Sequence, residues 1–173
     1  AGAFAWAQNV LQVYPAPDGV EMKDDFTVKV RVPGGEWQNV PTYMVKVDEV
    51  RDTKHCVEKS SMAYFDFEGE VEVAVTSNKP VVSARVRPLS YGIEPSVEGS
   101  TLTFSLDRPR NLSVEVNGDI FHNLQLFANP LDVNNPIDGV KVKNEKQLAK
   151  KRKDVIYFGP GLHEVGTVFP VSG

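Results

Sequence analysis

The feature that most constrains this chain is a repeated alternation of apolar and polar residues with a period of two. It is clearest from Phe26 to Val32, where apolar residues alternate with Thr27, Lys29 and Arg31. Successive side chains of a β-strand point to opposite faces, so this pattern predicts strands with one buried and one wetted face. The pattern recurs often enough to predict about nine strands, beginning near Val10, Phe26, Tyr43, Ala63, Val71, Val82, Leu102, Leu112 and Leu124.

Turn-forming residues separate these runs. Pro33-Gly34-Gly35 and Asn117-Gly118-Asp119 supply backbone shapes that strands cannot adopt, and Glu68-Gly69 predicts a tight hairpin between its two neighbouring strands. Short strands with one apolar face and frequent turns are typical of antiparallel sheets packed in pairs. We therefore predict an all-β fold, an antiparallel β-sandwich over residues 1–130. It is immunoglobulin-like only in a loose sense, because no cysteine pair flanks Trp37.

The character of the chain changes after Pro130. Residues 131–154 contain no strong strand pattern and are predicted to form a linker, in which Asn144 could cap a short helix. Residues 155–173 hold two short apolar runs joined by Gly159-Pro160-Gly161. Nineteen residues are too few for a domain. We expect this segment to be the start of a further domain that is truncated here.

The net charge of −4 hides an asymmetry. Residues 141–153 carry seven Lys or Arg and one acid, which leaves 12 bases and 22 acids in the rest of the chain. Nucleic-acid binding depends on neutralising phosphates, so a mostly acidic body argues against a nucleic-acid partner. The chain also has no run of eighteen apolar residues, and we expect no membrane-spanning helix.

Residues able to carry catalysis or hold a metal are sparse. The single cysteine, Cys56, excludes a disulfide framework or a multi-cysteine zinc site, and His55, His122 and His163 lie far apart in the sequence. No nucleophile, phosphate-binding or zinc-protease motif is present. We therefore predict no metal, no cofactor and no catalytic residue in this chain.

Aromatic residues are the best candidates for ligand binding. Trp37 and Tyr43 flank a predicted strand close to Pro33-Gly34-Gly35, where partial exposure is expected. Flat aromatic faces can stack on sugar rings, so these two residues are candidates for carbohydrate binding. The alternative is that both rings pack into the core, which is the commoner use of large aromatic side chains.

Three stretches together resemble a known family. They are Val86–Ile93, with the sequence VRPLSYGI; Leu106–Asp119, LDRPRNLSVEVNGD, continued by Asn123–Pro130, NLQLFANP; and Val155–His163, VIYFGPGLH. In this order they resemble the N-terminal region of bacterial glycoside hydrolases with a right-handed parallel β-helix, similar to polygalacturonases and dextranases. The resemblance covers residues 82–173. It implies that the sandwich precedes a β-helix whose first coils open with the Tyr-Phe-Gly-Pro-Gly-x-His phrase.

The resemblance also shapes the functional expectation. The catalytic phrases of polygalacturonase-type β-helices do not occur here in context, and Asp24-Asp25 lacks their flanking residues. We therefore expect a non-catalytic N-terminal accessory domain of a glycoside hydrolase that acts on polysaccharide. This domain would stabilise or flank a C-terminal β-helix catalytic domain that is missing here. We expect the whole enzyme to be extracellular or periplasmic. Two alternatives remain: a carbohydrate-binding module with an aromatic platform, and a surface adhesion or protein-interaction sandwich.

Overall fold

A computed structural model describes residues 9–131 and 161–163, and these residues are dominated by β-strands. A single 3₁₀ turn at Leu89–Tyr91 is the helical element in this part of the chain. The strands, in chain order, are β1 (Val10–Gln12), β2 (Phe26–Arg31), β3 (Gln38–Val40), β4 (Tyr43–Arg51), β5 (Lys54–Glu68), β6 (Val71–Ser77), β7 (Ala84–Arg87), β8 (Ser96–Glu98), β9 (Thr101–Leu106), β10 (Arg110–Val116) and β11 (Asp119–Pro130).

The strands form two sheets. Sheet A has the order β1-β5-β11-β10-β7, with β4 also paired to β5, and it curls into a half-barrel. Its pairs are antiparallel except for β5 and β11, which run parallel from Ser61↔Leu124 to Phe67↔Pro130. Sheet B has the order β3-β2-β6-β9-β8 and is antiparallel throughout.

The buried faces of both sheets contribute to one apolar cluster. Sheet A supplies Phe65 and Leu126, and sheet B supplies Val30 and Val73, all of them fully buried. The alternation read from the sequence explains this arrangement, because the residues between these positions face outward and are polar or half-exposed. Burial of this apolar face is the main force that holds the strands together.

The β10–β11 hairpin confirms one predicted turn. Val116 pairs directly with Asp119, so Asn117 and Gly118 form a two-residue turn. Both have positive φ, 56° for Asn117 and 75° for Gly118. This is the left-handed pair that an Asn-Gly sequence adopts at low conformational cost.

The predicted hairpin at Glu68-Gly69 is wrong. The strands on its two sides do not pair with each other, since β5 belongs to sheet A and β6 to sheet B. Gly69, at φ +83°, turns the chain from one sheet to the other, and the Asn9 side chain lies against it. The error arose because a glycine with positive φ serves a turn between sheets as well as a turn within one.

Two predicted strands are parts of longer ones. The apolar runs at residues 43–47 and 63–67 belong to β4 and β5, which pair from Tyr43↔Met62 to Arg51↔Lys54 around a turn at Asp52 and Thr53. Seven of the fifteen residues between these runs are charged, and they fall on both faces, so alternation gives no signal there. Two short edge strands, β3 and β8, were also not predicted.

The chain divides into two compact units. One comprises residues 1–15 and 21–131, and the other residues 16–20 and 132–173. Within the described part of the second unit, the Val20 amide donates to the Pro17 carbonyl at 3.4 Å, and Gly161 has a φ of 133°. The predicted linker, residues 131–154, and the predicted β-helix start, residues 155–173, fall outside the described residues except for 131 and 161–163.

The all-β class predicted from the sequence is therefore confirmed, and nearly all strand pairs are antiparallel as expected. The finer description, an immunoglobulin-like sandwich followed by a β-helix start, stays a prediction.

Candidate carbohydrate-binding surface

Trp37, one of the two predicted sugar-binding residues, lies on the outward face of sheet B. The turn that follows β2 returns the chain toward this face: Gly34 has a φ of 76°, and the Gly35 amide donates to the Val32 carbonyl at 2.9 Å. The side chain remains 37% exposed. The sequence thus places a large aromatic ring at the end of β2, where solvent and ligand can reach it.

The Trp37 indole lies against an ion pair between Arg31 and Glu72. The Arg31 guanidinium carbon lies 4.3 Å from the centre of the Trp37 ring, a cation–π contact. The same guanidinium donates from Nε to Glu72 Oε2 at 2.5 Å. Arg31 and Glu72 are cross-strand partners in β2 and β6, so the sheet register itself brings them together.

An open groove adjoins this cluster. Its volume is about 290 Å³, and it is lined by Arg31, Trp37, Glu72, Thr103, Phe104 and Ser105. Thr103 and Ser105 are outward residues of β9, and Ser105 is the cross-strand partner of Glu72. The groove therefore combines an aromatic ring, a neutralised ion pair and two hydroxyls, a set suited to a ligand with both C–H faces and hydroxyl groups.

Tyr43, the second predicted residue, lies on sheet A and is not brought near this groove. It is 5% exposed, and its ring stacks on Tyr64 with centroids 5.8 Å apart. Tyr64 also stacks on Tyr14, whose hydroxyl donates to Asp66 Oδ2 at 2.5 Å. Burial, together with the neighbouring Tyr64 hydroxyl, raises the pKa of Tyr43 to about 12. The carbohydrate-binding hypothesis therefore depends on Trp37.

A second group of titratable residues surrounds His122. Its Nδ1 lies 2.9 Å from Asp119 Oδ2 and its Nε2 lies 3.2 Å from Glu58 Oε2, while Glu58 also accepts from Arg51 at 2.5 Å. Burial alone would raise the pKa of Asp119, but hydrogen bonds from His122 and Phe121 lower it below its ordinary value. These contacts tie the β4–β5 hairpin to the start of β11. The cluster includes no Ser, Thr or Cys nucleophile.

Two further observations concern the described residues alone. Within residues 9–131 and 161–163, no three His, Cys, Asp or Glu side chains lie together in a way that could hold a metal ion. No helix in those ranges has the length and apolar character needed to cross a membrane.

The sequence pointed to Trp37 but not to its partners. These partners occupy outward positions of alternating strands: Arg31 on β2, Glu72 on β6, and Thr103 and Ser105 on β9. From the sequence, such positions indicate only that one face of each strand is polar. Their proximity follows from the order β2-β6-β9, and strand order cannot be deduced from alternation.

Comparison with solved structures shows a likeness in fold. No protein-family model matches the sequence, and neither does any curated protein. Among solved structures, Dex49A from Penicillium minioluteum is similar with a TM-score of 0.50 and 13% identity, covering 69% of this chain and 31% of that one. Dex49A is a dextranase, a glycoside hydrolase of family 49. At this identity the likeness concerns the fold, and the chain spans less than a third of the neighbour's length.

Proposed function

We propose that the β-domain, residues 1–130, is a non-catalytic accessory domain of a polysaccharide-degrading glycoside hydrolase. The observation that carries this proposal is the structural likeness to less than a third of Dex49A, which leaves most of that enzyme unmatched. The resemblance of Val155–His163 to the opening of a β-helix adds support from the sequence. In this proposal residues 131–154 link the domain to a β-helix that starts at residue 155.

The role of such a domain is to stabilise or flank the catalytic β-helix. A glycosidase requires two carboxylates facing each other across a cleft, about 5–10 Å apart. The groove beside Trp37 is lined by a single carboxylate, Glu72, and Arg31 neutralises it. This supports a role outside the chemical step. Enzymes of this kind meet their polymers outside the cytoplasm, so the proposal includes an extracellular or periplasmic location.

Hydrolysis assays test this proposal. The purified chain is incubated with polygalacturonate, dextran or pullulan, and new reducing ends are measured. We expect no turnover above a buffer control, because the proposed domain supplies no catalytic pair. Turnover that persists through repeated purification, and that is lost in a Glu72→Gln variant, would overturn the accessory role.

A second candidate function is carbohydrate binding by the domain itself. The observation that favours it is the exposed, oriented indole of Trp37 beside the hydroxyls of Thr103 and Ser105. The two functions are compatible, since an accessory domain can also hold the polymer. A general protein-interaction domain, the third alternative, is not favoured by any specific contact described above.

A further inference from the structure

We propose that the outward face of sheet B binds an uncharged polysaccharide, with Trp37 stacking on a sugar ring and β9 hydroxyls bonding to the sugars beside it. This inference rests on the carbohydrate-binding function above. It adds the chemical class of the ligand, the extent of the site and a residue that positions the aromatic ring.

The class of ligand follows from the charges of the groove. Its two ionised side chains, Arg31 and Glu72, are joined at 2.5 Å and cancel each other. The remaining lining residues are aromatic or carry hydroxyls. A uronate carboxylate would need an unpaired cation, and the Arg31 guanidinium already serves Glu72. No unpaired cation lines the groove, and Lys29, one outward position away on β2, is not among its lining residues. A ligand with many hydroxyls and no charge fits this set.

The extent of the site follows from the strand register. Arg31, Glu72 and Ser105 lie side by side on β2, β6 and β9, in the groove beside Trp37. All three outward residues of β9, namely Thr101, Thr103 and Ser105, carry hydroxyls. Three adjacent strands span about 10 Å. A polymer that crosses them from Trp37 therefore meets a hydroxyl-bearing strand beyond the aromatic ring.

Glu72 is the positioning residue of this site. It holds the Arg31 guanidinium in place, and that guanidinium lies on the Trp37 ring. An indole held in this way loses little conformational freedom when a ligand binds. Glu72→Gln keeps the size of the side chain but removes the ion pair. We expect it to weaken binding of the uncharged polymer about three- to fivefold, since a partly exposed ion pair contributes modestly.

Native affinity electrophoresis provides the main test. The chain is run through gels that contain dextran, pullulan or polygalacturonate, and retardation is measured against polymer concentration. We expect retardation by at least one of the two uncharged polymers and none by polygalacturonate. Trp37→Ala should weaken binding at least about fivefold, which corresponds to roughly 1 kcal/mol of aromatic stacking, and Trp37→Phe should weaken it less than Trp37→Ala.

Tyr91 offers a closely matched control. It is 38% exposed against 37% for Trp37, and Arg110 lies over its ring at 4.0 Å as Arg31 lies over Trp37 at 4.3 Å. Tyr91→Ala should leave retardation unchanged. Circular dichroism of each variant checks that the fold is intact. If Trp37→Ala does not fold, the retardation of Trp37→Phe is compared with that of the wild type instead.

A second readout uses tryptophan fluorescence. The chain has two tryptophans, so a Trp6→Phe background leaves Trp37 as the sole reporter. Its emission should shift saturably with an uncharged polymer. Equal retardation of wild type and Trp37 variants, a preference for polygalacturonate, or no retardation by any of the three polymers would each overturn the proposal. None of these results bears on the accessory role, which the hydrolysis assay tests separately.

Discussion

Asn123 is the centre of a buried hydrogen-bond network, and its removal should destabilise the domain strongly. The side chain is 7% exposed. Its Nδ2 donates to Ser113 Oγ at 2.7 Å, and its Oδ1 accepts from Ser60 Oγ at 2.9 Å and from Gln125 Nε2 at 2.8 Å. The network joins β5, β10 and β11 close to where the parallel pairing of β5 and β11 begins.

The magnitude can be worked out from these bonds. Asn123→Ala leaves Ser113 and Gln125 without this partner, whereas Ser60 retains its bond to the backbone carbonyl of residue 123 at 2.6 Å. Each buried hydrogen bond contributes about 1 kcal/mol, so the two bonds lost by Ser113 and Gln125 predict a decrease of about 2 kcal/mol in the free energy of unfolding. That is a large share of the 5–15 kcal/mol that is typical for a domain.

Urea unfolding at neutral pH measures this decrease. Asn111→Ala is the control, because Asn111 lies on β10 with an exposed side chain, and we expect its effect to stay within about 0.5 kcal/mol. Combining Asn123→Ala with Ser113→Ala should show a coupling of about 1 kcal/mol. The reasoning is refuted if Asn123→Ala destabilises no more than the control, or if the two substitutions are additive.

Three further predictions concern stability. The raised pKa of Tyr43, about 12, means that its contribution to stability is complete below pH 10 and falls as pH rises toward 12. Thermal unfolding at pH 9 and pH 11.5 should show a loss of about 2 kcal/mol, which should be smaller in Tyr43→Phe. Gly118→Ala should decrease stability by about 1 kcal/mol because φ is +75° there, and an unchanged melting temperature would contradict the turn geometry. Phe65→Ala should decrease the free energy of unfolding by about 3–5 kcal/mol, because the Phe65 side chain is fully buried. Val82→Ala is the control: Val82 is 90% exposed, and its effect should stay within about 0.5 kcal/mol. Equal effects of the two substitutions in urea unfolding would contradict the described core.

Much of the fold could be predicted because alternation reports burial directly. Every apolar residue of the run from Phe26 to Val30 is buried, and the Asn117-Gly118 turn lies where its sequence indicates. The pairing of strands could not be predicted this way. Nothing in the sequence around Glu68-Gly69 distinguishes a hairpin from a passage between sheets, since both require a turn that glycine permits.

The candidate site was only partly predictable for a related reason. Exposure of Trp37 could be inferred from the adjacent Pro-Gly-Gly turn, but Tyr43 begins a strand whose ring is covered by Tyr64. That cover comes from β5, about twenty residues later in the chain, and depends on register. The charge balance of the groove likewise requires the pairing of Arg31 with Glu72, which lie 41 residues apart.

The parallel pairing of β5 with β11 also bears on how the chain is made. The middle of sheet A forms only when Leu124 of β11 pairs with Ser61 of β5. Because β11 follows β5 by more than fifty residues, β5 leaves the ribosome well before its partner strand has been synthesised. Sheet B needs nothing beyond β9, and its strands can pair earlier. Loop closure over such a separation is slow and leaves β5 unpaired on one side in the meantime. During synthesis the nascent domain therefore leaves the 61–67 edge of β5 unpaired until translation has passed Pro130.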